Sequence, residues 1–440
     1  MRLMVAEGGK RVSTDFSLTV RKEAIGAFLH LRETRSSAIA EGYKEVVARI
    51  KENPVESIKD FFDIEVPQNV RVRTRFIEPP KHPPFSFSAP YDVAIDLTYA
   101  CNMRCKHCYA TANKLQDYSM TKADFITIVK ALDQAGTSHL CLTGGEPLLH
   151  PKIFEIIEYA VSSTWANITL LTNGLLLEKA ADKLRKFVKK RIFGLFISLD
   201  SSDPEEHDEF RGVKGGWEQT IKGIKIVKSV GIPFVTGTVV TQFNKNHLED
   251  IVKLSRDLGA TAAHFMAFMP AGRGEETYKT YGLPMKELVK IEYKLIDLAR
   301  IYSSEDFKVT LDDFGYTFQW RKYEAMKTLE EIGMLATCSA GRTISHIDVM
   351  GNLYPCSLFL GHSEFVAGNL LRQSFFDVWL NSPVLNSLRI DRPQKIRQSV
   401  CRKCPYVDAC LGGCPYHSYV YKGTIMAPDP QCPHLPSSNF

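Results

Sequence analysis

Three cysteines fall within eight positions in Cys101-Asn102-Met103-Arg104-Cys105-Lys106-His107-Cys108-Tyr109. Thiolates are soft ligands suited to zinc or to iron–sulfur clusters. A structural zinc site takes four ligands and disulfides take an even number, so a triplet either needs a further donor or keeps one position open. In a four-iron cubane, three thiolates leave one iron free for a substrate or cofactor. The competing reading is a zinc ion completed by His107 or by a distant residue. Seven more of the eleven cysteines lie between positions 338 and 432, and Cys141 stands alone. Cys141 sits between Leu140 and Leu142, where a free thiol is expected to act as a small apolar residue.

Other functional classes are disfavoured. The opening MRLMVAEGGKRVSTDF lacks the apolar core of a secretory signal, and no apolar run is long enough to span a bilayer. A cytoplasmic location is therefore expected, where cysteines serve metal or redox chemistry more often than disulfides. A net charge of +5 over 440 residues does not point to nucleic acid. The most basic run, 183–191, carries Leu184, Phe187 and Val188 at helical spacing and reads as a solvated helix face.

The chain is long enough for a main domain and smaller additions. Residues 1–77 read as a mainly helical extension, with Ile39, Tyr43, Val46, Val47 and Ile50 at helical spacing. Residues 78–90 carry five prolines and read as a linker. From Tyr91, short apolar strands alternate with amphipathic helices. The expected strands are Asp92–Thr98, His139–Thr143, Ile168–Thr172, Gly194–Asp200, Phe234–Val240 and Ala263–Met269. Thr121 is placed to cap a helix whose apolar stripe is Phe125, Ile128, Val129 and Leu132. Ile153, Ile156, Ile157 and Ala160 form a second stripe. Successive βα units predict an α/β fold, a partial (β/α)6 barrel over 91–304, with functional groups at the C-terminal ends of its strands. A bridging segment over 305–337 leads to a loop-rich region over 338–440, with one clear helix near Ser374–Leu380. A region so small and loop-rich usually needs metal to hold it together.

The strand ends are polar. The second strand runs into Gly144-Gly145-Glu146-Pro147, the third into Thr172-Asn173-Gly174 and the fourth into Ser198-Leu199-Asp200. The glycines allow close backbone approach, and Glu146 supplies an acceptor for an amino group.

On the cysteine triplet, Gly144-Gly145-Glu146-Pro147 and these strand ends, the chain resembles the radical S-adenosylmethionine (SAM) superfamily over roughly residues 91–275. The resemblance implies a [4Fe–4S] cluster on Cys101, Cys105 and Cys108, whose open iron chelates the amino and carboxylate groups of SAM. One-electron reduction, by a partner such as ferredoxin or flavodoxin, then yields a 5′-deoxyadenosyl radical that abstracts a substrate hydrogen. The resemblance places Tyr109 near the adenine and gives Gly144, Gly145 and Glu146 to the methionine amino group, with Pro147 closing this cofactor-binding motif. Thr172, Asn173, Ser198, Asp200 and Arg211 become contacts at the strand ends, with Ser198 and Arg211 for the carboxylate and ribose. Val239 and Met266 pack near the adenine or serve as core.

The C-terminal spacing, Cys338-x12-Gly351-x4-Cys356 followed by Cys401-x2-Cys404-x5-Cys410-x3-Cys414 and Cys432, resembles the SPASM extension of that superfamily. Its resemblance implies two auxiliary iron–sulfur clusters, one on Cys401, Cys404, Cys410 and Cys432 and one on Cys338, Cys356 and Cys414. The second set has three ligands; Glu330 and Glu331 are near in sequence, and an open iron is the other option. Met269-Pro270-Ala271-Gly272-Arg273-Gly274 resembles a loop of several SPASM enzymes, in which Arg273 would bind a carboxylate or sit in an ion pair. The implied activity is an oxygen-sensitive radical maturation of a peptide or protein. The alternatives are modification of a tetrapyrrole or other cofactor precursor, and a non-catalytic iron–sulfur electron carrier or scaffold. Residues 1–77 read as too helical for a leader-peptide-binding domain.

Overall fold

The computed structural model describes residues 89–113, 118–188, 193–312, 338–432 and 434, and in the N-terminal part the strands below with residues 52, 53 and 56. The expected helix at 39–50, most of the proline-rich linker, Glu330 and Glu331 lie outside the described residues.

The strands described in the N-terminal part are β1 (Asp15–Thr19), β2 (Gly26–Arg32) and β3 (Arg71–Phe76). β1 pairs antiparallel with β2, and β2 pairs parallel with β3. The mainly helical reading of residues 1–77 includes none of these strands, whereas Glu52 and Glu56 are helical. The signal is in the sequence: Arg71, Arg73 and Arg75 alternate with Val72, Thr74 and Phe76, a period of two that suits extended chain.

The main sheet is built from β4 (Asp92–Thr98), β5 (His139–Gly144), β6 (Asn167–Thr172), β7 (Phe193–Ser198), β8 (Phe234–Val240) and β9 (Ala262–Ala267). They lie side by side in chain order, every neighbouring pair parallel. Crossover helices α1 (Lys122–Ala135), α2 (Ile153–Ser163), α3 (Leu177–Val188), α4 (Pro204–Arg211), α5 (Gly216–Ser229) and α6 (Leu248–Asp257) connect them. Thr121 caps α1 by accepting from the Asp124 amide at 3.1 Å. The stripes Phe125, Ile128, Val129, Leu132 and Ile153, Ile156, Ile157, Ala160 are buried against the sheet. Each large aliphatic or aromatic side chain so buried contributes about 1.5–3 kcal/mol.

The sheet extends at both edges. After α7 (Arg273–Tyr281) and α8 (Met285–Tyr302), β10 (Lys308–Leu311) adds a further parallel strand beside β9, past the point where the alternation was expected to stop. At the other edge β11 (Ile344–Ile347), from the cysteine-rich region, pairs parallel with β4. The antiparallel β12 (Asn352–Tyr354) and β13 (Gly368–Asn369) follow. Among the described residues the barrel does not close: the ten-strand order runs from β10 to β13 with two free ends. Helix α9 (Phe375–Asn381) lies where one was expected and is capped by Ser374.

Candidate active site

The C-terminal ends of the barrel strands and the cysteine-rich region enclose a cavity of about 790 Å³. Cys101, Cys105 and Cys108 line one part of it, and Cys338, Cys356 and Cys414 line another. In β5, Leu140 and Leu142 enter the core, so alternation turns Cys141 and Thr143 to the cavity. Cys141 is thus a wall residue, where the sequence suggested apolar packing between its leucine neighbours.

Donors are aimed at the first triplet. The Met103 amide lies 3.5 Å from Cys101 Sγ and Asn173 Nδ2 lies 3.9 Å from it, while an Arg211 terminal nitrogen lies 3.7 Å from Cys105 Sγ. Burial pushes the Cys101 thiol up to about 12 and the Cys105 thiol up to about 11. His107, the alternative zinc donor, stacks on Phe210 at 4.6 Å between ring centroids. Burial, followed by the charge of Arg211, pushes it down to about 3. Among the described residues no three His, Cys, Asp or Glu side chains are arranged around a single metal ion.

The glycine turn after β5 is locked onto the start of the cysteine loop. The Gly145 amide donates to Thr98 O at 2.6 Å and the Glu146 amide to Ala100 O at 2.8 Å. Gly144 has φ +120°, and a β-carbon on Gly145 would fall 2.2 Å from Ala100 O. Gly145→Ala is therefore expected to cost about 1–3 kcal/mol by forcing the two backbones apart. Urea unfolding of the apoprotein, alongside the iron retained after reconstitution, checks this.

Glu146 does not face the cavity. Its fully buried carboxyl accepts from the Leu148 amide at 3.0 Å, Thr172 Oγ1 at 2.9 Å and the Asn173 amide at 2.8 Å. It therefore ties the end of β5 to the end of β6. Pro147 and Thr172 likewise stay outside the cavity lining, in support of this turn. Gly144, Gly145 and Asn173 are the parts of these two strand ends that line it.

Burial raises the Glu146 carboxyl to about 7 against the pull of its three donors. A raised folded-state value means the fold favours the protonated form. That contribution is complete below the ordinary 4.5 and is lost as pH rises through about 7. The stability difference between the native chain and Glu146→Gln is expected to shrink by about 3 kcal/mol between those pH values, read by urea titration.

At the next strand end, Asp200 holds Arg211. The two are 2.5 Å apart, 2% and 8% exposed at their side chains. Asp200 also accepts from the Val239 amide at 2.8 Å. Burial alone would raise the Asp200 carboxyl, but Arg211 overrides it and holds it below the usual carboxylate range. Asp200 is outside the cavity lining, whereas Ser198, Arg211, Val239 and Met266 are in it. Tyr109 lines it too, its hydroxyl 3.3 Å from Thr143 Oγ1.

Arg273, in the cavity lining, is engaged by backbone carbonyls of the cysteine loop. Its Nε donates to Cys105 O and a terminal nitrogen to Ala112 O, both at 2.9 Å, while its amide donates to Cys108 O at 3.1 Å. Thr277 Oγ1, one helical turn on, donates to Lys106 O at 2.8 Å. The start of α7 is a clamp on the cysteine loop.

The other cysteines form two groups. Cys338, Cys356 and Cys414 interact with one another: burial first, then Cys338, raises Cys356 to about 12, and burial lifts Cys414 well above its ordinary value. Cys401, Cys404, Cys410 and Cys432 share a separate small pocket with Tyr406 and His434.

Residues 95–255 match the family model of the radical SAM superfamily, and residues 338–405 match that of the SPASM iron–sulfur cluster-binding domain. The antilisterial bacteriocin subtilosin biosynthesis protein AlbA of Bacillus subtilis is 30% identical over 329 residues, spanning 74% of this chain and 68% of AlbA. The chain belongs to the radical SAM superfamily. This radical SAM enzyme is also similar to the AdoMet-dependent heme synthase of Methanosarcina barkeri, 29% identical over 357 residues that span 79% of the chain and 98% of the relative. Its fold resembles that of Streptococcus suis SuiB bound to precursor peptide SuiA, with TM-score 0.67 and 18% identity over 92% of this chain and 82% of SuiB.

Membership makes the chain an enzyme that uses SAM and iron–sulfur clusters. The first triplet fits such a group. Thiols whose burial holds them protonated need a strongly cationic partner before they can ionise, and iron supplies one. Among the described residues no helix is long and apolar enough to cross a membrane.

Proposed function

We propose that this radical SAM/SPASM enzyme matures a peptide or protein substrate by hydrogen abstraction in the cavity between the barrel and the SPASM domain. Cys101, Cys105 and Cys108 would hold the SAM-binding [4Fe–4S] cluster, which together with bound SAM supplies a 5′-deoxyadenosyl radical. Gly144 and Gly145 would present backbone groups to the SAM amino group. Ser198 and Arg211 would meet its carboxylate and ribose, while Tyr109, Val239 and Met266 would wall the adenine. Cys401, Cys404, Cys410 and Cys432 would hold one auxiliary cluster, and Cys338, Cys356 and Cys414 the other. The reductant is a low-potential cytoplasmic carrier such as ferredoxin or flavodoxin.

The observation that carries the peptide reading over a tetrapyrrole is the state of the cavity's cations. Among the described residues Arg211 and Arg273 are its only lysine or arginine lining; Arg273 is engaged by loop carbonyls, and Arg211, held by Asp200, is the group assigned above to SAM, which leaves neither for a second carboxylate. Several propionates would need free partners there. The N-terminal sheet adds support, since β3 ends the order β1-β2-β3 and an edge strand offers main-chain groups to an extended peptide.

The test is anaerobic turnover of the reconstituted full chain with reduced flavodoxin. Short peptides encoded beside its gene compete against a tetrapyrrole carboxylate, and mass spectrometry reads both substrate change and 5′-deoxyadenosine. Peptide-dependent product is expected. Turnover of the tetrapyrrole with none of any peptide would overturn the reading.

A further inference from the structure

The second cysteine triplet lacks a fourth thiolate, and the structure places an imidazole beside it. Helix α10 (Pro415–Lys422) starts directly after Cys414, its N-terminal cap. His417, in its first turn, is 5% exposed and lines the same cavity as Cys338, Cys356 and Cys414. Its backbone amide donates to the Cys414 thiol.

The ring has one engaged nitrogen and one idle one. Nδ1 lies 3.0 Å from Asp429 Oδ2, and Asp429 is fully buried. The same carboxylate oxygen accepts from the Cys414 amide at 3.2 Å, so Asp429 positions the histidine and the cysteine together. Nε2 is buried without a hydrogen-bond partner. A buried polar nitrogen left unpaired is costly to the fold. A carboxylate only accepts, so it selects the tautomer with the proton on Nδ1 and leaves the Nε2 lone pair directed outward. Metal-bound histidine usually has a metal in front of one imidazole nitrogen and a carboxylate or carbonyl behind the other.

We propose that His417, through Nε2 and oriented by Asp429, is the fourth ligand of the iron–sulfur cluster held by Cys338, Cys356 and Cys414. The inference rests on the reading that this triplet carries a cluster. It makes that cluster coordinatively closed, so substrate is not ligated there. Exchange of thiolate for neutral imidazole also raises a cluster's reduction potential.

The full chain carrying Cys101→Ala, Cys105→Ala and Cys108→Ala is labelled with ¹⁵N-histidine, reconstituted, reduced and read by pulsed EPR. A directly bonded nitrogen is expected, and His417→Cys should abolish it while keeping the iron content and lowering the midpoint potential. His417→Gly should lose the coupling and regain it with free imidazole, which separates ligation from a folding defect. An intact iron content with no coupled histidine nitrogen overturns the ligand assignment. Cys356→Ala tests the underlying reading separately: unchanged iron content would show that this triplet carries no cluster and would remove the inference with it.

Discussion

Cys105→Ala is expected to reduce SAM cleavage to background and to lower the iron content from about twelve to about eight atoms per chain, the loss of one of three cubanes. Cys105 is tied down at both its sulfur and its carbonyl. It is buried, an Arg211 nitrogen lies 3.7 Å from its sulfur, and its carbonyl accepts from Arg273 Nε at 2.9 Å. Alanine keeps the carbonyl contact, so the loop stays clamped and the loss isolates the thiolate. Chromatographic assay of 5′-deoxyadenosine with iron and sulfide analysis measures both effects. Retention of cleavage with full iron content would contradict the assignment of the triplet.

The second large effect belongs to Arg211→Met. Asp200 would be left buried and unpaired, and removing one partner of a buried ion pair costs about 3–5 kcal/mol. The double substitution Asp200→Asn, Arg211→Met removes the stranded charge and should recover much of that stability, although not SAM binding. The pH dependence follows from the depressed Asp200 value. The pair's contribution is present above the ordinary 3.8 and is lost as pH falls through the lower folded-state value. The gap between the native chain and Arg211→Met should therefore be widest near neutral pH and narrow in acid. A constant gap from pH 7 to pH 3 in urea titrations would show that Arg211 acts through packing alone.

Much of the barrel was legible because its strands carry strong local signals. β4 and β8 occupy the bounds expected of them, and Thr121 caps the helix its position predicts. Pairings without a local signal were not legible. β10 is four residues long, too short for a pattern to separate it from a loop, and β11 joins the sheet because of where the chain returns. The N-terminal strands were missed because the helical spacing at 39–50 outweighed the plain alternation at 71–76.

At the site, residue type identified the right strand ends but not which way each group turns. Glu146 and Asp200 both lie where a ligand acceptor was expected, yet each is fully engaged by neighbouring protein groups. A buried carboxylate satisfies the nearest donors first, and those donors come from other strands. Arg273 illustrates the same limit, since its carbonyl acceptors stand more than 160 positions earlier in the chain. His107 and Cys141 belong to the cavity lining as well, the first stacked on Phe210 and the second exposed by simple strand alternation.

The parallel pairing of β11 with β4 also sets a timetable for biosynthesis. β4 gains β5 soon after it is made, but its other edge waits for roughly 250 further residues. At about 5–20 residues per second that interval lasts tens of seconds on the ribosome. Throughout it, the amides and carbonyls of Asp92–Ile95 are an unpaired template for any passing strand. A nascent chain stalled before Ile344 should consequently be captured by holdase chaperones, and one stalled well beyond β13 should not.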